Sequence, residues 1–275
     1  MIMGTRAHRT RNGQSVQSGA ARAITRALPD EVPVALVFNG STQAVMMASP
    51  ADIADFAHGF ALSEGLIDGL DQIEGFEELR HDRGIEARFW LRADRATLLH
   101  QRRRAMLGPV GCGLCGIDSL DAALRALPRL PDGDLRLSHA EVAGASDALR
   151  AQQPLHDRTR ATHAAGFLQP GHGITLARED VGRHNALDKL IGALARQGTD
   201  PATGAVVITS RVSVDMVQKC VMAGAPVLIA VSAPTALAVE MAEDANLTLA
   251  TFARGDGFDL YAHPQRITQR GSDVA

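Results

Sequence analysis

The sequence predicts an α/β protein: a small α+β unit at the amino-terminal side, followed by a three-layer αβα domain on a mixed sheet. Three observations predict this class. The runs 205–209, 227–231 and 247–252 are continuously apolar and largely β-branched, as strands buried on both faces are. Segments of helical apolar spacing, such as Leu187, Leu190, Ile191 and Leu194, alternate with those runs and imply helix layers over the sheet. Before residue 100 the pattern is different, with two hairpin signals flanking one amphipathic helix.

Residues 1–29 carry Arg6, Arg9, Arg11, Arg22 and Arg26, no acidic residue and no apolar periodicity, and read as a disordered basic tail, with a transit peptide as the lesser alternative. Order is expected from about Pro33. Residues 34–38 and 41–47 flank Asn39-Gly40, the strongest short signal for a type I′ hairpin. Ser49-Pro50 opens a helix in which Ile53, Phe56, Ala57, Phe60 and Ala61 share a face, ending near Gly65. Residues 73–79 and 85–91 pair across 81–84, and a short helix from Asp94 ends in Arg102-Arg103-Arg104. These elements define a domain over 30–130, closed by a glycine-rich loop at 107–117, a helix near Asp118 and a linker at 128–133. The second domain covers 135–268. Ser138 and Glu141 form a capping box for a helix to about Gln152, and the strands 164–168 and 174–178 follow. Asp180 then caps a helix stopped by Gly198. After it come strand 205–209, helix 213–223, strand 227–231, helix 235–245 and strand 247–252, then a last element at 258–261 closed by His263-Pro264, and a tail over 269–275. This order matches the cytidine-deaminase-like fold at the level of topology.

Composition excludes several classes. The 275 residues are 45% hydrophobic and 21% charged, with net charge -3 and three cysteines. Three cysteines cannot build a disulfide scaffold, so free thiols in a reducing cytoplasm are expected. No apolar run reaches the length of a membrane span, and the first residues lack a secretory apolar stretch. The near-neutral balance argues against a general nucleic-acid binder. Of the 28 basic residues only Lys189 and Lys219 are lysines. Codon composition explains such a bias, and so does phosphate binding by planar guanidinium groups.

Cys112-Gly113-Leu114-Cys115 is the sharpest local feature. Zinc ligation, dithiol exchange and sulfur relay through a persulfide all use this spacing. Zinc wants four ligands, and the third cysteine, Cys220, stands at helical spacing among apolar residues as a core side chain. Thioredoxin-type pairs lack glycines on both outer sides, whereas Gly111 and Gly116 flank this one. Arg102, Arg103 and Arg104 would favour a thiolate. Spacing alone leaves the three chemistries level. His139-Ala140-Glu141 imitates the zinc deaminase His-x-Glu, but no Cys-x-x-Cys follows it, and the capping box accounts for it. Residues 178–189 form a dense polar stretch at a strand end and helix start, where open α/β sheets bind ligands. Here Asp188 and Lys189 read as solvated and Arg178 as paired with Glu179, while Arg183, His184 and Asn185 read as ligand-facing. Thr209-Ser210-Arg211 and 232–235 end the next two strands, and Phe252, Ala253, Arg254, Gly255, Asp256 and Gly257 leave the last. The rim suits a phosphate-rich ligand.

Six ordered blocks carry a resemblance to a known family: Asn39-Gly40 with 45–50, 111–116, 178–189, Ser210-Arg211 with 216–219, 230–233 and 263–266. Together they resemble the FdhD family of formate dehydrogenase accessory sulfur carriers over 34–266. The resemblance implies a cytoplasmic sulfurtransferase that takes persulfide sulfur from a cysteine desulfurase. It passes that sulfur to the molybdenum (or tungsten) bis-guanine-dinucleotide cofactor destined for the formate dehydrogenase catalytic subunit. Cys112 maps onto the persulfide carrier and Cys115 onto an assisting or resolving thiol. The cofactor contact maps onto Phe252, Ala253, Arg254, Gly255, Asp256 and Gly257, with Arg183, His184 and Arg211 on the phosphate-suited rim. The cofactor is bound as substrate, no structural metal is expected, and a homodimer without nucleic-acid or membrane partners is implied. Family members often carry a basic residue where Gly257 stands and Asn where Asp259 stands, so Arg254 or Arg211 would have to compensate. The rival reading is a non-catalytic chaperone for the same cofactor.

Overall fold

The computed structural model describes residues 6–95 and 126–268. Most of the helix expected from Asp94, the glycine loop with Cys112 and Cys115, the helix near Asp118 and the tail 269–275 lie outside the described residues.

The amino-terminal unit contains β3 (Val32–Phe38), β4 (Ser41–Ala48), α1 (Ile53–Ser63), β5 (Ile73–His81) and β6 (Gly84–Leu91). Asn39 and Gly40 have φ of 48° and 76°, the two positive values a type I′ turn requires. The two expected hairpins join into one sheet, β4-β3-β6-β5, because β3 pairs parallel with β6 after the chain crosses over through α1. Period-two alternation turns Val34, Leu36, Ile85 and Phe89 toward α1, where Ile53 and Phe56 meet them. Phe38 stacks on Phe89 with centroids 4.8 Å apart.

Residues 1–29 are not a disordered tail over their described part. β1 (His8–Gln17) and β2 (Ala20–Pro29) pair antiparallel around Ser18-Gly19. The ribbon is exposed over most of both faces, so its strands carry no alternation of apolar residues to betray them.

The second unit comprises β7 (Leu137–Ser138), α2 (His139–Arg150), α3 (Pro154–Thr159), β8 (His163–Gln169), β9 (Gly173–Asp180), α4 (Arg183–Arg196), β10 (Ala205–Ile208), α5 (Val214–Met222), β11 (Val227–Ala230), α6 (Ala236–Asp244), β12 (Thr248–Arg254), β13 (Gly257–Ala262) and β14 (Ile267–Thr268). Six strands form a mixed sheet, β13-β12-β11-β10-β8-β9, with β10, β11 and β12 parallel. One face packs under α4, α5 and α6 through Leu187, Leu190, Val217 and Ala242. The other packs on α2 through Val142, Ala145 and Leu149, which completes three layers. The capping box is present: Glu141 N–H donates to Ser138 Oγ, and Ser138 N–H to the Glu141 carboxylate. Asp180 does not cap α4. Gly182 occupies that position, and Asp180 instead accepts from the Gly182 and Ser49 backbone N–H groups.

The two units are joined by an α1–α4 crossing that leaves no room for side chains. A Cβ on Gly59 would stand 1.7 Å from the Asp188 carbonyl oxygen, and one on Gly192 1.9 Å from that of Asp55. Charges buried around this crossing correct the reading of 178–189. Lys189 is fully buried 2.7 Å from Asp180, and Asp188 is 2% exposed against Lys219 at 2.9 Å. Arg178 pairs with Asp55 rather than Glu179, and Arg196 shares that carboxylate. Glu179 accepts from the Leu155 and His156 N–H groups at the start of α3.

Candidate functional site

The carboxyl ends of the parallel strands end at a cavity of about 320 Å³. Open α/β sheets place ligands at this edge because the strands deliver loops and helix starts there. Leu149, Ile208 and Val231 give it apolar walls, and His163, Thr209 and Arg254 bring polar groups. Thr209 Oγ1 accepts the Ala164 N–H at 2.9 Å and stands 3.3 Å from His163 Nδ1, which ties β10 to the start of β8 at the cavity wall. Burial, and then the Arg183 cation, hold the His163 ring below its ordinary value, so it is a neutral imidazole at neutral pH.

Arg254 reaches the cavity from the end of a strand that is locally irregular. Phe252 has φ of 53°, and the β12–β13 register shifts between Thr251 and Arg254. Such a bulge interrupts the in-out alternation and re-aims the side chains beyond it. Ala253 is thereby buried in the core while Arg254 is exposed at the cavity. Gly255 and Asp256 make the turn, with Gly255 at φ 62°. Among the described residues a Cβ on Gly255 or Gly257 meets nothing within 4 Å, so their packing leaves that backbone open to an approaching ligand.

The remaining rim residues divide. Arg183 and His184 start α4 near His163 and do not line the cavity. Among the described residues His184 Nε2 is buried without a hydrogen-bond partner; it lies 3.7 Å from Asp215, whose carboxyl it holds below the ordinary value. Arg211 is exposed ahead of α5. Asn185 is not ligand-facing: it is 3% exposed and donates to the Met47 carbonyl and the Asp180 carboxylate. Cys220 is a core residue, fully buried with its thiol pushed up to about 12 by burial. Sequence reasoning missed His163, Ser146, Asp147 and Arg150. The last three lie on α2 beside its buried face, where the helix borders the cavity.

The described chain on either side of Cys112 and Cys115 is anchored. The Arg95 guanidinium donates to the Gly65 and Leu66 carbonyls and to Asp68. On the far side Leu130 is 5% exposed; its N–H donates to the Ala245 carbonyl, and its own carbonyl accepts from Asn246. The expected linker 128–133 is therefore docked. Arg266 is buried and donates to the Asn246 and Pro131 carbonyls, which holds the same strap.

Fold and site define an α/β protein with a cavity at the carboxyl edge of its sheet, Arg254 in its wall, and docked described chain on either side of the stretch that carries the cysteine pair. The chain belongs to the FdhD/NarQ family, which it matches over residues 29–268. Similar proteins include the "Sulfur carrier protein FdhD" of Agrobacterium fabrum, 47% identical over 253 residues that cover 92% of this chain and 93% of that protein. That of Brucella abortus is 51% identical over 245 residues, or 89% and 91% of the two chains. The fold is shared with a crystal structure from Desulfotalea psychrophila described as a formate dehydrogenase accessory protein. The TM-score is 0.74 at 22% identity, over 96% of this chain and 100% of that one.

Proposed function

We propose that this protein is a sulfurtransferase that carries sulfane sulfur from a cysteine desulfurase, in the reducing cytoplasm, to a molybdenum or tungsten bis-guanine-dinucleotide cofactor destined for formate dehydrogenase. The observation that carries the reading is the cavity at the strand ends with Arg254 in its wall, within a chain whose family relatives are named sulfur carriers. The cofactor is a substrate here, and its phosphates would meet Arg254, with Arg183 and Arg211 on the approach. The strand and helix order of the second unit supports a deaminase-like topology, without the deaminase's ligands.

The chemistry follows from thiolate reactivity. The Cys112 thiolate attacks the outer sulfur of the donor persulfide; that S–S bond breaks, the donor leaves as a thiolate, and a persulfide remains on Cys112. The Cys115 thiolate then attacks the inner sulfur, a Cys112–Cys115 disulfide forms, and hydrosulfide is released to the bound cofactor. A cellular dithiol reduces the disulfide and resets the pair. Arg95 and Leu130 fix the described ends of the chain on either side of the pair. A homodimer is part of this reading, supported by the β1–β2 ribbon, which touches the body at α3 and is otherwise exposed over most of both faces.

Replacing Cys112 tests the proposal. Cys112→Ala is expected to abolish formate dehydrogenase activity in cells that carry only that variant, while the purified protein keeps its thermal stability. Normal enzyme activity in such cells would leave a non-catalytic chaperone as the better reading.

A further inference from the structure

The geometry points to Asp147 as the group that selects guanine in the cavity, an inference that rests on the nucleotide reading of that cavity given above. An anion site gains nothing from a carboxylate in its wall, which repels phosphate and weakens the pull of Arg254. Yet Asp147 lines the same cavity as Arg254. It is exposed, and its carboxylate makes no ion pair or hydrogen bond among the described residues. Arg150, one turn further along α2, is paired with Asp157 instead.

A free carboxylate in such a place fits a ligand that brings two neighbouring donors as well as phosphate. Guanine has them: its N1–H and 2-amino group face the same way and match the two oxygens of one carboxylate. Adenine turns the N1 lone pair toward the carboxylate and xanthine turns a carbonyl toward it, while hypoxanthine keeps a single donor. A second observation agrees. Ser146, the neighbouring residue, lines the same wall, and its Oγ is buried just behind it with no hydrogen-bond partner among the described residues. The apolar walls at Leu149, Ile208 and Val231 suit the faces of a base. Asp147 is thus a specificity-determining residue, and Arg254 is the phosphate group's partner.

Calorimetry on the full-length protein with the diphosphates of guanosine, inosine, xanthosine and adenosine tests this. The wild type is expected to bind GDP about tenfold or more above inosine diphosphate, the worth of one hydrogen bond to a charged group. Asp147→Asn turns one acceptor into a donor, so it is expected to lose that preference and to bind xanthosine diphosphate above GDP. A purely structural role would not produce that reversal. Arg254→Ala is expected to weaken all the nucleotides by a common factor. Wild-type GDP affinity in Asp147→Asn, or a uniform loss that marks a ribose contact, would overturn the assignment while leaving the cavity a nucleotide site. Failure of the wild type to bind any of the four would overturn both readings.

Discussion

Lys219→Met removes the cation from a buried contact with two carboxylates. Lys219 Nζ lies 2.9 and 3.0 Å from the two oxygens of Asp188, 2.7 Å from Glu64 and 2.9 Å from Ser63 Oγ. Without it Asp188, 2% exposed, keeps Ser63 Oγ at 2.6 Å as its remaining side-chain donor. Breaking one side of a buried pair costs about 3–5 kcal/mol, because the other charge is left desolvated. In a chain of this size that lowers Tm by about 6–20 °C. Burial already raises the Asp188 carboxyl above its ordinary value despite Lys219, so the stranded acid takes up a proton. A raised folded value contributes stability in full below the unfolded value and loses it as pH rises through the folded one, so the deficit of Lys219→Met narrows toward acid pH. The double variant Asp188→Leu/Lys219→Met removes both charges and is expected to recover most of the loss. Thermal unfolding of the three proteins across pH reads all of this. A single variant that loses less than about 1 kcal/mol, or a double that loses as much as the single, would refute the reasoning.

Two other outcomes are expected. His58 and His163 are both held below the ordinary value of 6.5 by burial first, with Ala54 and Arg196 adding opposed effects at His58 and Arg183 lowering His163 further. Depressed folded values give stability that is complete above 6.5 and lost as pH falls through them, so Tm should decline on acidification below that point. His163→Asn should flatten part of the decline, and an unchanged slope would count against it. Gly257→Lys places a cation near Arg254 where no atom of the described residues obstructs a Cβ, and should tighten GDP binding about two- to fivefold, the worth of an exposed charge pair. Calorimetry showing weaker binding would remove residue 257 from the ligand's path.

Local signals carried most of the fold. Asn39-Gly40 announced its turn because both residues tolerate positive φ, and Ser138 with Glu141 announced its helix because a capping box is contained in four residues. The buried β-branched runs announced the parallel strands. What local sequence could not supply were partners distant in the chain. Asp188 and Lys189 looked solvated because their counter-charges are Lys219 and Asp180, and Arg178 looked paired with its neighbour because Asp55 is far away in sequence. The β3–β6 pairing was hidden for the same reason. At the cavity, Arg254 is legible from glycine-rich sequence at a strand end, whereas Asp147 reaches it only through the packing of α2 on the sheet and His163 only through the pairing of β8 with β10. Asn185, polar and at a helix start, resembled a ligand group and is spent on joining the two units.

The central claim is that Cys112 carries the sulfur. Intact-protein and peptide mass spectrometry after incubation with a cysteine desulfurase and cysteine measures it directly. The expected result is a gain of one sulfur atom on the Cys112 peptide, reversed by dithiol reductant and absent from Cys112→Ala. Unmodified Cys112, or a gain on Cys220 alone, would contradict the account.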